Sequence, residues 1–147
     1  MTRILGLDVG DRRIGVAVSD PLGITTRGLF VYERVNIRTD MQRILETVRE
    51  NECSAVVVGL PLNVSGEDSV QTGKVRAFAR RLANTLRSNA MQKIDVILYD
   101  ERYSTVIAEE TMREAGVSEK KIREVIDMRA AEVILQDFIE GRSTQRQ

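Results

Sequence analysis

The chain has 147 residues, 42% of them hydrophobic, and its 22 Lys+Arg are balanced by 22 Asp+Glu, which fits one domain with a substantial core. Histidine is absent and cysteine occurs once, at Cys53. That excludes His–Asp–Ser triads, His–Cys dyads, imidazole-held zinc, internal disulfides and four-cysteine metal sites. Chemistry is left to carboxylates, Lys/Arg, hydroxyls, the backbone and bound ions.

The start, Met1 to Asp8, becomes charged too early for a signal peptide. No apolar run approaches the ~20 residues that span a bilayer. A soluble, cytoplasmic chain with no membrane partner is expected, with 1–141 as one domain and 142–147 as a flexible tail. Ile4 to Val9 is a nearly unbroken apolar run, as in a strand covered on both faces. Gly10-Asp11-Arg12 reads as a turn and Ile14 to Ser19 as the returning strand of a hairpin. Gly28 to Val35 is a candidate third strand. Met41, Ile44, Leu45 and Val48 then recur at helical spacing, with Thr39 and Gln42 as a capping-box pair. Ala55 to Gly59 is a fourth strand ended by Leu60-Pro61. Val75, Phe78, Ala79, Leu82 and Leu86 mark a helix, and Ile94 to Tyr99 a fifth strand. Ser104 or Thr105 caps a helix that stops at Gly116, and Ser118 caps a last one reaching about Ile139. The order β-β-β-α-β-α-β-α-α predicts an α/β fold, a five-stranded mixed sheet with helices on both faces.

Three sets of acids sit where bland positions would be apolar. Asp8 ends a central strand, where an ionised carboxylate needs a partner; hydrogen bonds from the Gly10–Arg12 turn would also satisfy it. Asp100 and Glu101 end the fifth strand, on the edge where open α/β sheets place sites. Strand alternation lets only one of them face Asp8; pairing with Arg102 or a helix cap is the alternative. Asp127 shares a stripe with Ala130, Ala131, Ile134 and Phe138, so it faces the sheet; an ion pair with Arg123 or Arg129 is the alternative. Converging carboxylates repel by roughly 4 kcal/mol at 4 Å and an effective dielectric near 20, unless a cation binds. All-oxygen ligands select Mg²⁺ or Mn²⁺, ions that activate water against phosphate esters.

Gly6-Leu7-Asp8-Val9-Gly10, Arg13 to Asp20, Val58 to Asn63, Asp100 to Thr105 and Asp127 to Ala131 together resemble the YqgF-type family, also called RuvX-like. The resemblance covers nearly the whole chain. It implies a ribonuclease-H-like fold and a metal-dependent nuclease that processes the 5′ end of pre-16S ribosomal RNA; Holliday junction resolution is the family's older assignment. By resemblance Asp8, Glu101 (or Asp100) and Asp127 would be the metal ligands.

Zero net charge conceals an uneven distribution. Ser69 to Ile94 holds no acid but carries Lys74, Arg76, Arg80, Arg81, Arg87 and Lys93. Its helix would show phosphates two cationic rows, or simply a solvated basic face. Arg12 and Arg13 adjoin Asp8 and could hold a phosphate; Arg102 follows the second acid set. Aromatics are only 4%, so recognition should rest on backbone and shape. The expected partner is nucleic acid, precursor rRNA before branched DNA, and the expected state a monomer or weak homodimer, since each apolar stripe is used once in the core. Two other classes compete: an ATP-using domain of the actin or sugar-kinase type, which would need a second such domain, and a non-catalytic RNA-binding assembly factor, which needs no acid at position 127.

Overall fold

The computed structural model describes residues 2–63, 65–101 and 106–145, without the side chains of 101, 106–109, 127, 128 and 142–145. The strands are β1 (Arg3–Val9), β2 (Arg13–Ser19), β3 (Thr26–Glu33), β4 (Cys53–Pro61) and β5 (Asp95–Glu101). The helices are α1 (Ile37–Glu50), α2 (Val70–Ser88), α3 (Val106–Glu114) and α4 (Glu119–Gln145). One sheet runs in the order β3-β2-β1-β4-β5. The β1–β2–β3 part is antiparallel, and β4 and β5 add in parallel to β1. The fold class and element order agree with the sequence reading.

The apolar run of β1 divides its side chains between two cores, because successive residues point to opposite faces. Leu5, Leu7 and Val9 join Met41, Ile44, Leu45 and Val48 of α1 and Val75, Phe78, Leu82 and Leu86 of α2. Ile4 joins Ala131, Ile134, Leu135 and Ile139 of α4 on the other face. There the sheet presents Gly6 and Gly59. A methyl at Gly6 would lie 2.9 Å from Leu135 Cβ and 3.2 Å from the Ala131 carbonyl oxygen, and one at Gly59 would collide with Ile134 Cδ1. These two glycines let α4 lie directly on β1 and β4.

Several boundaries differ: β4 runs from Cys53 through the Leu60-Pro61 expected to end it, and β5 spans Asp95–Glu101 instead of Ile94 to Tyr99. The third strand starts at Thr26 and ends at Glu33, not Gly28 to Val35. Asn36, not Thr39, caps α1: its side chain accepts the Thr39 N–H at 2.9 Å, so the helix begins one turn earlier. The box expected there occurs instead on α2, between Ser69 and Thr72. Ser118 caps α4 through the Lys121 N–H as expected, but α4 continues past Ile139 to Gln145. Gly116 adopts the left-handed φ of +82° that ends a helix without strain. The Ser104 and Thr105 cap lies outside the described residues.

Candidate functional site

β1, β4 and β5 are parallel, so their carboxyl ends share one edge of the sheet. Asp8 is the penultimate residue of β1, half-buried, and paired in register with Gly15. It has the same alternation as Ile4 and Gly6, which puts it on the α4 face. On β5, Ile97 and Tyr99 pack with the α4 core, and Tyr99 meets Phe138 edge-on with ring centres 6.0 Å apart. Position 101 shares that alternation and pairs with Pro61. Asp100 falls on the opposite face and is exposed. Two strand spacings, roughly 10 Å, separate β1 from β5, and the residue of β4 abreast of Tyr99 is Gly59, which has no side chain.

The position of Asp127 follows from how α4 crosses β1. Leu135 and Ala131 both meet Gly6, while Ile139 lies in the same cluster as Ile4; the helix therefore runs opposite to the strand. Four helix residues advance ~6 Å and two strand residues ~6.6 Å. One turn before Ala131 is position 127, whose backbone lies between the Gly6 level and the Gly10–Arg13 turn that Arg123 reaches. The side chains of Glu101 and Asp127 lie outside the described residues, as does Arg102. Among the described side chains no three acids or cysteines cluster to hold a metal.

The turn after Asp8 is held from several sides. The Gly10 N–H donates to the Arg13 carbonyl at 2.8 Å, and a methyl at Gly10 would sit 3.0 Å from that oxygen. Arg34 donates from Nη1 to the Gly10 carbonyl at 3.0 Å and from its own N–H to the Arg12 carbonyl at 2.8 Å. Its Nε is bound to Asp40 at 2.9 Å, and its guanidinium lies 5.3 Å over the Phe78 ring. Burial pushes the Asp40 carboxyl up, but the Val35 N–H and the Arg34 guanidinium outweigh it and hold it below the ordinary value. The Tyr32 hydroxyl is buried beside this carboxylate but outside hydrogen-bond geometry. Gln71 of α2 donates to the Val9 carbonyl at 3.3 Å. Sequence reasoning missed the Arg34–Asp40 pair; its only signal was an acid in the first turn of an amphipathic helix.

The basic residues lie in exposed ion pairs and along two surface cavities. Lys74 is paired with Asp11 at 3.2 Å, and Arg76 holds Asp68 with two bonds of 3.1 Å. Both pairs are solvent-exposed, so they contribute little to stability. Arg80 and Arg81 are exposed and line a surface cavity of about 370 Å³ with Ile37, Ala77 and Asn84. Arg12 and Arg13 line another of about 330 Å³ with Gly10, Asp11 and Arg123 of α4. Arg123 was absent from the basic residues inferred from sequence. Among the described residues no helix is long and apolar enough to cross a membrane.

The chain is similar to known proteins in sequence and in fold. A protein from Koribacter versatilis named "Putative pre-16S rRNA nuclease" is 45% identical over 145 residues, covering 99% of this chain and 91% of that one. One of the same name from Clostridioides difficile is 42% identical over 138 residues, covering 94% of each. In solved structures, T. thermophilus RuvC in complex with a Holliday junction substrate superposes with a TM-score of 0.61 at 17% identity, over 97% and 96% of the two chains. The fowlpox virus resolvase in complex with Holliday junction DNA gives 0.55 at 9% identity, over 95% and 98%. These likenesses show a ribonuclease-H-like fold. Residues 2–141 match the family described as RuvX, Holliday junction resolvase, and the chain belongs to that family.

Proposed function

We propose that this chain is a divalent-metal-dependent endonuclease that hydrolyses phosphodiester bonds in the cytoplasm, with the 5′ end of pre-16S rRNA as its preferred substrate. The reading is supported chiefly by Asp8, next to the end of the central strand on the face where α4 docks through Gly6; strand alternation and helix rise would bring positions 101 and 127 to the same edge. The donor set fits Mg²⁺ or Mn²⁺, being carboxylate with no imidazole or thiolate. Asp8, Glu101 and Asp127 would hold the ion, and strand alternation favours Glu101 over Asp100. When bound, such an ion lowers the pKa of its water and stabilises the leaving oxygen. Arg12 and Arg13 would neutralise substrate phosphate beside Asp8. Arg80 and Arg81 would bind backbone farther along, with Lys74 and Arg76 joining by exchanging their carboxylate partners.

The names of the relatives support ribosomal RNA as substrate. A monomer or weak dimer fits, because the stripes of α1, α2 and α4 are each consumed by the core. The fold neighbours bound to junction DNA support a second reading, junction resolution, which needs two sites related by two-fold symmetry. The deciding experiment incubates wild-type protein and Asp8→Asn with a ribosomal leader RNA and a synthetic four-way junction, in Mg²⁺, Mn²⁺ or EDTA, beside sedimentation at micromolar concentration. Metal-dependent cleavage of the RNA, abolished in a folded Asp8→Asn, is expected. A fully active Asp8→Asn would remove the metal-site reading. A tight dimer making paired cuts in the junction would favour resolution, and RNA binding without cleavage would favour an assembly factor.

A further inference from the structure

The cavity at the β1–β2 turn joins residues that are far apart in sequence. Arg12 and Arg13 come from the turn after Asp8, and Arg123 from the second turn of α4. The one acid lining it, Asp11, is engaged by Lys74. Elsewhere near Arg123, Glu119 is held by Arg113 through bonds of 2.8 and 3.2 Å. Three guanidinium groups thus line a cavity of about 330 Å³ whose own acid is engaged from outside it. Guanidinium forks match phosphate oxygens in geometry as well as charge. The cavity also has a defined distance from the carboxylate edge. Along the run 135, 131, 127, 123, the first two positions flank Gly6, the fourth lines the cavity at the turn, and the third lies between them. Position 123 is thus one step of ~6 Å beyond position 127, comparable to the step between neighbouring phosphates on one strand.

We propose that Arg12, Arg13 and Arg123 form a phosphate subsite that takes the nucleic-acid phosphate next to the scissile one and thereby sets the direction of the strand across the cutting edge. This rests on the nuclease reading for its location, but the subsite is an anion site in its own right. Arg123 acts here as a binding residue supplied by the same helix that carries Asp127, so substrate alignment and carboxylate placement share one rigid element.

The test uses the full chain and a single-stranded RNA dodecamer, bound in EDTA across a salt series. Arg123→Gln is expected to weaken binding roughly tenfold and to reduce the slope of log affinity against log salt by about 0.7, the signature of one lost phosphate contact on a single strand. Arg49→Gln removes the same charge at the far end of α1 and is expected to leave both unchanged. Equal effects of the two variants, or wild-type binding by Arg123→Gln, would overturn the proposal. Under cleaving conditions, a neutral methylphosphonate linkage is then walked along the substrate strand. Wild type should lose about tenfold in kcat/KM at the linkage adjoining the cut, and Arg123→Gln should lose nothing further there; independent losses would overturn the placement. A wild type that binds the dodecamer with the expected slope yet cleaves nothing would remove the nuclease reading, while the binding comparison still judges the subsite.

Discussion

Gly6→Ala measures how closely α4 must lie on β1. The added methyl would sit 2.9 Å from Leu135 Cβ and 3.2 Å from the Ala131 carbonyl oxygen, whereas carbon atoms in ordinary contact are about 3.5–4.0 Å apart. Neither neighbour is the free end of a flexible side chain, so the helix axis itself must retreat, by about 0.6–1.1 Å. Overpacking of this kind costs about 1–3 kcal/mol, and for a domain of this size that lowers Tm by roughly 2–12 °C. The same retreat carries position 127 away from Asp8, and a 1 Å misplacement can cost about 100-fold in rate. Gly59→Ala should be milder, because it meets the Cδ1 end of Ile134, which can turn aside. Gly73→Ala in α2 is the control: nothing lies within 4 Å of the new methyl, and helix propensity should make it neutral or stabilising by up to ~1 kcal/mol. Thermal melting and single-turnover cleavage, the latter at a temperature where each variant is folded, give both numbers. Wild-type melting and wild-type cleavage by Gly6→Ala would refute the argument that glycine is there for the helix.

Asp40→Asn should lower stability by about 2–4 kcal/mol at neutral pH, because it leaves the half-buried Arg34 without its carboxylate. The Asp40 carboxyl is held below its usual value, so its contribution is complete above the unfolded value near ~3.9 and lost as pH falls through the lower folded one; urea unfolding from pH 3 to 7 should show the two proteins converging at the acid end. Arg80→Glu combined with Arg81→Glu should weaken RNA binding and flatten its salt dependence, and unchanged binding in a salt series would assign that face to solvent. Cys53 is buried and its thiol pushed up to about 11 by burial, against a smaller opposing effect of Arg3. It should resist thiol reagents at pH 8 until the chain unfolds, which labelling with and without urea would show.

The strand order and the two-faced sheet were legible because the apolar runs are short, bounded by turns and rich in branched residues. What was not legible depended on partners distant in sequence. Thr39 and Gln42 have the spacing of a capping box, but Asn36 is an equally good cap one turn earlier and follows directly from the strand connection. The end of α4 was set too early because Arg142 to Gln147 is polar; polarity alone does not stop a helix without a Pro or a well-placed Gly. The basic stretch of α2 was visible, but the pairing of Lys74 with Asp11 and Arg76 with Asp68 was not, since both acids lie in loops. Strand alternation always separated Asp100 from Glu101. Only the packing of Ile97 and Tyr99 against α4 says which of them shares a face with Asp8.

The Gly6 contact also fixes how the backbone of α4 is registered along β1. A helix laid antiparallel on a strand keeps nearly constant register with it, because four helical residues and two strand residues advance by almost the same length. With Ala131 and Leu135 seated on Gly6 and Arg123 beside the Gly10–Arg13 turn, the backbone of position 127 falls between those two levels. The apolar seating thus supplies the energy, and the polar residues beyond it are carried into place. In the proposed metal site, like charges near Asp8 would oppose that seating, setting stability against the site along a single helix. Substitutions in the seated half should therefore change melting and cleavage together, whereas Asp8→Asn should separate them, abolishing cleavage while leaving the melt unchanged or slightly raised.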